Sequence, residues 1–105
     1  MKTDHAVIML SALASEARLD IFRFLVHIGP DGAPAGEIAK ACAITPSTLS
    51  HHLNQMRQSG LVDRRREARS LIYSVNFTEM NGLIGFLSDD CCQGQPKLCL
   101  KGNET

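Results

Sequence analysis

The residues from Ala35 to Gly60 run Ala-Gly-Glu-Ile-Ala-Lys-Ala-Cys-Ala-Ile-Thr-Pro-Ser-Thr-Leu-Ser-His-His-Leu-Asn-Gln-Met-Arg-Gln-Ser-Gly, and the reading of this stretch decides the fold. Apolar residues at helical spacing lie on both sides of a short break at Ala43 and Ile44, which predicts two helices joined by a tight turn. The first covers about 35–42. The second opens at Thr45 and Pro46, a capping hydroxyl followed by a proline at the first helical position, and Gly60 ends it. On a helix wheel Leu49, Leu53 and Met56 share one stripe, while Ser47, Ser50, His51 and Asn54 share roughly the opposite one. The polar stripe holds short hydrogen-bonding side chains, one imidazole and no acid. An ordinary solvated face usually carries Glu or Lys. An acid-free face suits the major groove of double-stranded DNA, where phosphates repel carboxylates and base edges mix donors with acceptors. Thr45, at the start of the helix, joins Ser47, Ser50, His51 and Asn54 as an expected DNA contact.

Beyond Gly60, residues 61–66 and 70–75 flank Glu67, Ala68 and Arg69, and their β-branched and aromatic content predicts a hairpin. Leu71, Tyr73 and Val75 are expected on one face and Arg64 and Arg66 on another. Five of the seven arginines (Arg57, Arg64, Arg65, Arg66 and Arg69) fall within thirteen residues, opposed there by Asp63 and Glu67. On a chain of zero net charge this is a local basic strip. Arg64, Arg66 and Arg69 are placed to clamp phosphates or probe a minor groove. Two helices followed by such a hairpin make a winged helix-turn-helix. Asn76 and Glu79 then form an Asn-x-x-Glu capping signature for a last helix over 77–88, apolar at Phe77, Met80, Leu83, Ile84 and Leu87. Gly82 and Gly85 weaken that helix, so packing must stabilise it.

On the N-terminal side, a helix over about 4–13 is apolar at Val7, Leu10 and Leu13, widened by Ile8 and Met9. Ser15 is read as the N-cap of a second helix to about His27, with Leu19, Phe22, Leu25 and Val26 at helical spacing, and residues 28–34 break the pattern. The expected fold is therefore mainly α, with five helices and a two-stranded wing. Residues 1–88 form one DNA-binding and dimerisation domain and 89–105 a cysteine-containing tail. At 105 residues the core is small, and a partner subunit would enlarge it. No apolar run approaches the ~20 residues that span a bilayer, and the N-terminus does not read as a signal peptide. The expectation is a cytoplasmic protein with no membrane role, whose cysteines stay reduced and serve metal or redox chemistry. No Ser-His-Asp arrangement, phosphate loop or paired acids point to an enzyme.

Ser-Glu-Ala-Arg-Leu-Asp-Ile-Phe at 15–22, Gly-Glu-Ile-Ala at 36–39, Ser50-His51-His52-Leu53, and Gly-Leu-Val at 60–62 before the arginine-rich hairpin together resemble the ArsR/SmtB family of metal-responsive repressors. The resemblance runs in order from about residue 10 to residue 75. It implies a homodimeric winged-helix repressor that binds operator DNA when metal-free and leaves it when metal-bound. It also implies pairing of subunits through the first and last helices, here near 4–13 and 77–88. The family's thiol site beside the reading helix would need cysteines just ahead of Glu37, where this chain has Pro34, Ala35 and Gly36. Its zinc-type site on the last helix needs Asp and His at helical spacing, and residues 77–88 contain no histidine.

The tail holds three of the four cysteines, as Cys91, Cys92 and Cys99 in Cys-Cys-Gln-Gly-Gln-Pro-Lys-Leu-Cys. Thiolates are soft ligands, and three of them with no histidine beside them favour thiophilic ions. The run is similar to the C-terminal arsenite site of arsenic-responsive members of the family. That resemblance implies As(III) or Sb(III) as inducer, held by a pyramid of three thiolates, and no catalytic cofactor. Gly94 and Pro96 allow the chain between Cys92 and Cys99 to fold back. Asp89 and Asp90 adjoin the site and disfavour thiolates there. Two alternatives stand beside the metalloid reading: a thiol redox-sensing repressor that uses the same cysteines, and a small metal buffer with a vestigial DNA fold. Of the remaining candidates, Cys42 reads as a core residue and His52 as a structural imidazole or phosphate contact at the buried edge of the reading helix. Ala43 stands where many helix-turn-helix units use glycine, which suggests a slightly different turn.

Overall fold

The computed structural model describes residues 1–89, and the elements run α1 (Thr3–Leu13), α2 (Glu16–Ile28), β1 (Ala33–Pro34), α3 (Ala35–Cys42), α4 (Pro46–Gln58), β2 (Val62–Glu67), β3 (Ser70–Val75) and α5 (Phe77–Ser88). The expected winged helix-turn-helix with five helices is observed. The three cysteines Cys91, Cys92 and Cys99, and the tail from residue 90 onward, lie outside the described residues.

Helix α2 starts where Ser15, in extended conformation, accepts a hydrogen bond at Oγ from the Arg18 amide, and it stops at Gly29, whose φ is 91°. Its buried residues are Ile21, Phe22 and Leu25. Leu19 was expected in that stripe but is 44% exposed, because two residues before Ile21 a helix side chain projects nearly to the far side. Helix α1 departs from its expected stripe in the same way. Its inward residues are Ala6, Met9 and Ala12, while Val7, Ile8 and Leu10 point outward. Two alanines let α1 lie close over its neighbours, and the bulkier apolar side chains are left on its outer face.

Between α3 and α4, Ala43 adopts the left-handed conformation (φ 55°, ψ 48°). Its amide donates to the Lys40 carbonyl, and the Ile44 amide reaches back to the Ala39 carbonyl at 3.0 Å. These two bonds make a Schellman motif, with alanine where glycine is usual. The turn is thus the ordinary left-handed one rather than the different turn that the alanine suggested. The same motif closes α4 with glycine in place: Gly60 has φ 86°, its amide donates to Arg57, and the Leu61 amide donates to Met56.

Strands β2 and β3 form the wing in antiparallel register from Val62 opposite Val75 to Glu67 opposite Ser70, closed by Ala68 and Arg69. A third, two-residue strand adds to the expected pair: β1 sets Ala33 opposite Tyr73 and Pro34 opposite Ile72, giving the order β1-β3-β2. Proline is tolerated there because β1 is an edge strand. The register also corrects the expected faces. Arg64 stands opposite Tyr73 and Arg66 opposite Leu71, and directly opposed residues project from the same side of the sheet. The arginines therefore extend the apolar face outward past its buried base.

Helix α5 is capped as expected, with the Asn76 side chain accepting from the Glu79 amide at 3.0 Å. The return half of the capping box is replaced: the Asn76 amide donates to Leu61, and the Glu79 carboxylate meets His5 Nε2 of α1 at 3.3 Å. Leu83 faces the core, and Ile84 and Leu87 are exposed. The core joins Met9, Ile21, Leu25, Ile38, Leu49, Leu53, Met56 and Leu61 as its largest fully buried members. No helix among the described residues is long and apolar enough to cross a membrane.

Candidate nucleic-acid interface

Leu49, Leu53 and Met56 anchor α4 in the core, and this leaves Ser47, Ser50, His51 and Asn54 exposed along its outer side. The expected division of the helix into two stripes is what the fold adopts. Thr45 is exposed as well, but it does not cap the helix as expected. Its hydroxyl donates to Thr48 Oγ1 at 2.9 Å, a side-chain pairing that the three-residue spacing of one helical turn brings within reach. The first-turn amides of α4 therefore have no side-chain acceptor, and a DNA phosphate can supply one.

The wing arginines divide by what they touch. Arg65 Nη2 donates to the Asp31 carbonyl at 2.7 Å and to Glu67 Oε2 at 3.1 Å, which ties β2 to the loop ahead of β1. Arg64, Arg66 and Arg69 are exposed, and none of the side-chain hydrogen bonds or ion pairs found among the described residues engages them. The buried Val62 and Leu61 at the base of the wing pack it against the core beside α4. The fold thereby presents the acid-free helix face and a set of uncommitted guanidinium groups as parts of one body. This arrangement can place short polar side chains on base edges while arginines hold flanking phosphates.

His51 and His52 have different roles despite their adjacency. His51 is exposed, whereas His52 is half-buried and accepts at Nδ1 from Arg18 Nε at 3.2 Å. Burial, then the Arg18 charge, then His51 hold the His52 imidazole below its ordinary pKa, so it is neutral at neutral pH. Arg18 was not singled out as a functional residue in the sequence, since nothing local links it to a histidine 34 positions away. Cys42 packs half-buried against the core, and burial, then Asp20, raises its thiol pKa, which keeps it protonated and a poor ligand. Among the described residues no group of three or more His, Cys, Asp or Glu could hold a metal ion.

Residues 13–65 match the helix-turn-helix domain family. The transcriptional activator HlyU of Vibrio cholerae is 35% identical over 88 residues, which cover 84% of this chain and 79% of that protein. A solved HlyU structure superposes with a TM-score of 0.68 at 33% identity, covering 84% of this chain and 95% of the other. The HTH-type transcriptional regulator YgaV of Escherichia coli is 33% identical over 89 residues, 85% of this chain and 88% of its own length. A homodimeric winged helix-turn-helix DNA-binding domain from Mycobacterium bovis, described as a possible ArsR-family transcriptional regulator, gives a TM-score of 0.66 at 26% identity, covering 83% and 81% of the two chains.

Proposed function

The chain belongs to the helix-turn-helix family of ArsR-type DNA-binding transcriptional regulators, and on that premise we propose that it is a homodimeric repressor released from its operator by trivalent arsenic or antimony. The inducer ligands are Cys91, Cys92 and Cys99. One observation carries this reading: three thiols within nine residues begin three positions after α5 ends at Ser88, with no histidine among them. Such a donor set fits a thiophilic ion that takes three thiolates and fits magnesium, calcium or a catalytic zinc poorly. Asp89, the last residue described, is already off the helix, with φ −58° and ψ 130°.

Dimerisation is supported by Val7, Ile8 and Leu10 on α1 and Ile84 and Leu87 on α5, all exposed on two helices linked by the His5–Glu79 contact. The homodimeric Mycobacterium relative has the same fold. Two copies would offer two reading helices to successive major grooves of double-stranded DNA. An ion that draws the tail into a chelate beside the dimer helices favours one subunit arrangement over another. A coupling of about 1 to 3 kcal/mol between ion and operator suffices for release.

Gel-shift titration with arsenite tests this. The wild-type protein is expected to leave operator DNA, and Cys91→Ser, Cys92→Ser and Cys99→Ser variants to stay bound at concentrations that release the wild type. Release of all three at the wild-type arsenite concentration sinks the assignment. Release by peroxide, reversed by reductant with no metalloid present, replaces it with thiol redox sensing by the same cysteines.

A further inference from the structure

The contact between Arg18 and His52 joins the first turn of α2 to the flank of the reading helix. Arg18 itself is held by its backbone, through the bond from its amide to Ser15 Oγ. Its side chain then crosses to α4, where Nε–H meets His52 Nδ1 at 3.2 Å. A ring nitrogen that accepts a hydrogen bond carries a lone pair, so the imidazole proton must sit on Nε2. His52 lies between the buried Leu49, Leu53 and Met56 and the exposed Ser47, Ser50, His51 and Asn54.

Apolar packing resists separation of a helix from its core but is non-directional, so it tolerates a small roll about the helix axis. A hydrogen bond is directional and weakens steeply when bent. Placed on the flank of α4, it sets the roll, and with it the direction in which the exposed stripe points. We propose that Arg18 is a positioning residue for DNA reading, acting through the neutral Nε2–H form of His52, so that operator affinity falls when His52 takes up a proton.

A protonated His52 has N–H on both ring nitrogens and cannot accept, and it brings a second positive charge against the guanidinium. The charged and titratable groups that act on it are Arg18 from α2 and its own neighbour His51. The cleft of about 430 Å³ on the α1 side of α4, lined by Val7, Ile8, Ser11 and Gln55 among others, adds no charged residue besides Arg18. Among the described residues no carboxylate is one of the groups acting on His52 to offset the new charge. The inference rests on DNA binding by α4 and is independent of the metalloid reading.

The test uses the metalloid-free 105-residue chain and a duplex selected from a random pool by the wild type at pH 7.5. Affinity is measured as the ratio of selected to unrelated duplex, which cancels the general gain of positive charge in acid. For the wild type the ratio is expected to fall between pH 7.5 and 5.5 by less than about tenfold and to go on falling in stronger acid, because a depressed His52 pKa leaves part of the titration below this range. In His52→Asn an amide oxygen takes the place of Nδ1 without titrating, so the ratio stays within about threefold of wild type at pH 7.5 and is flat with pH. In Arg18→Met the ratio is already low at pH 7.5 and changes little on acidification, while a circular dichroism melt reports whether the variant is folded. Nitrogen-15 spectra of the wild type are expected to show His52 with Nε2 protonated and Nδ1 bare. A wild-type pH slope that survives in His52→Asn overturns the proposal, as does an Nδ1-protonated His52.

Discussion

Two residues with left-handed backbone carry opposite lessons. Ala43 holds the turn between α3 and α4 at φ 55° although an L side chain there strains against the following carbonyl. Relief of that strain exceeds the extra chain entropy that glycine loses on folding, so Ala43→Gly is expected to stabilise by about 1 kcal/mol. In a domain of this size that raises Tm by about 4 to 8 °C, measured by thermal melting at fixed protein concentration. Gly32, at φ 72°, already has the residue its geometry demands, and a Cβ there would run into the Tyr73 carbonyl of the paired strand. Gly32→Ala therefore combines a disfavoured φ with a backbone collision and should cost roughly 2 kcal/mol or more. A melt in which Ala43→Gly falls, or Gly32→Ala holds, would contradict the turn and strand geometry assigned to each. Position 43 was legible in the sequence as a place for glycine. Gly32 was hidden in a stretch that read only as a break, because its constraint comes from a strand some forty residues away.

At the scale of elements, the wing is a brace as well as the arm proposed to meet DNA. Arg65 is committed to the Asp31 carbonyl and Glu67, and β1 pins β3 from the other side. Arg64 and Arg66 extend from the outer part of β2 with no such commitment. Arg64→Gln and Arg66→Gln are each expected to weaken binding to all DNA sequences alike and to reduce the slope of log affinity against log salt by about 1. Arg65→Gln should leave that slope nearly unchanged and instead lower the melting temperature. Equal salt slopes for the wild type and both outer variants would remove the wing from the interface. The hairpin, its turn and its arginines were all readable from composition. The face on which the arginines stand was not, since it depends on a register that pairs Arg64 with Tyr73 and Arg66 with Leu71. A shift of one position would have reversed it.

For the molecule as a whole, the outer faces of α1 and α5 leave Val7, Ile8, Leu10, Ile84 and Leu87 in solvent on a small single chain. An exposed apolar patch of this kind marks an interaction surface. Ile84→Glu combined with Leu87→Glu should convert the sedimenting species from dimer to monomer and abolish tight operator binding, while the same changes leave helical content intact. A dimer that persists in that variant moves the subunit contact elsewhere. The alternation of a packing stripe with a polar, acid-free stripe along α4 is a local property of residues 46–58, and so are the caps at Ser15 and Asn76 and the soft donor set of the last cysteines. Sequence by itself therefore determined the order of the five helices and the wing and the two stripes of α4, because each follows from spacings of a few residues along one chain. Tertiary structure alone decided which side of α1 faces inward, which arginine braces the wing, and that Arg18 reaches His52. Those outcomes depend on how closely helices approach and how strands register, and distances between residues far apart in the chain are set only when the whole core packs.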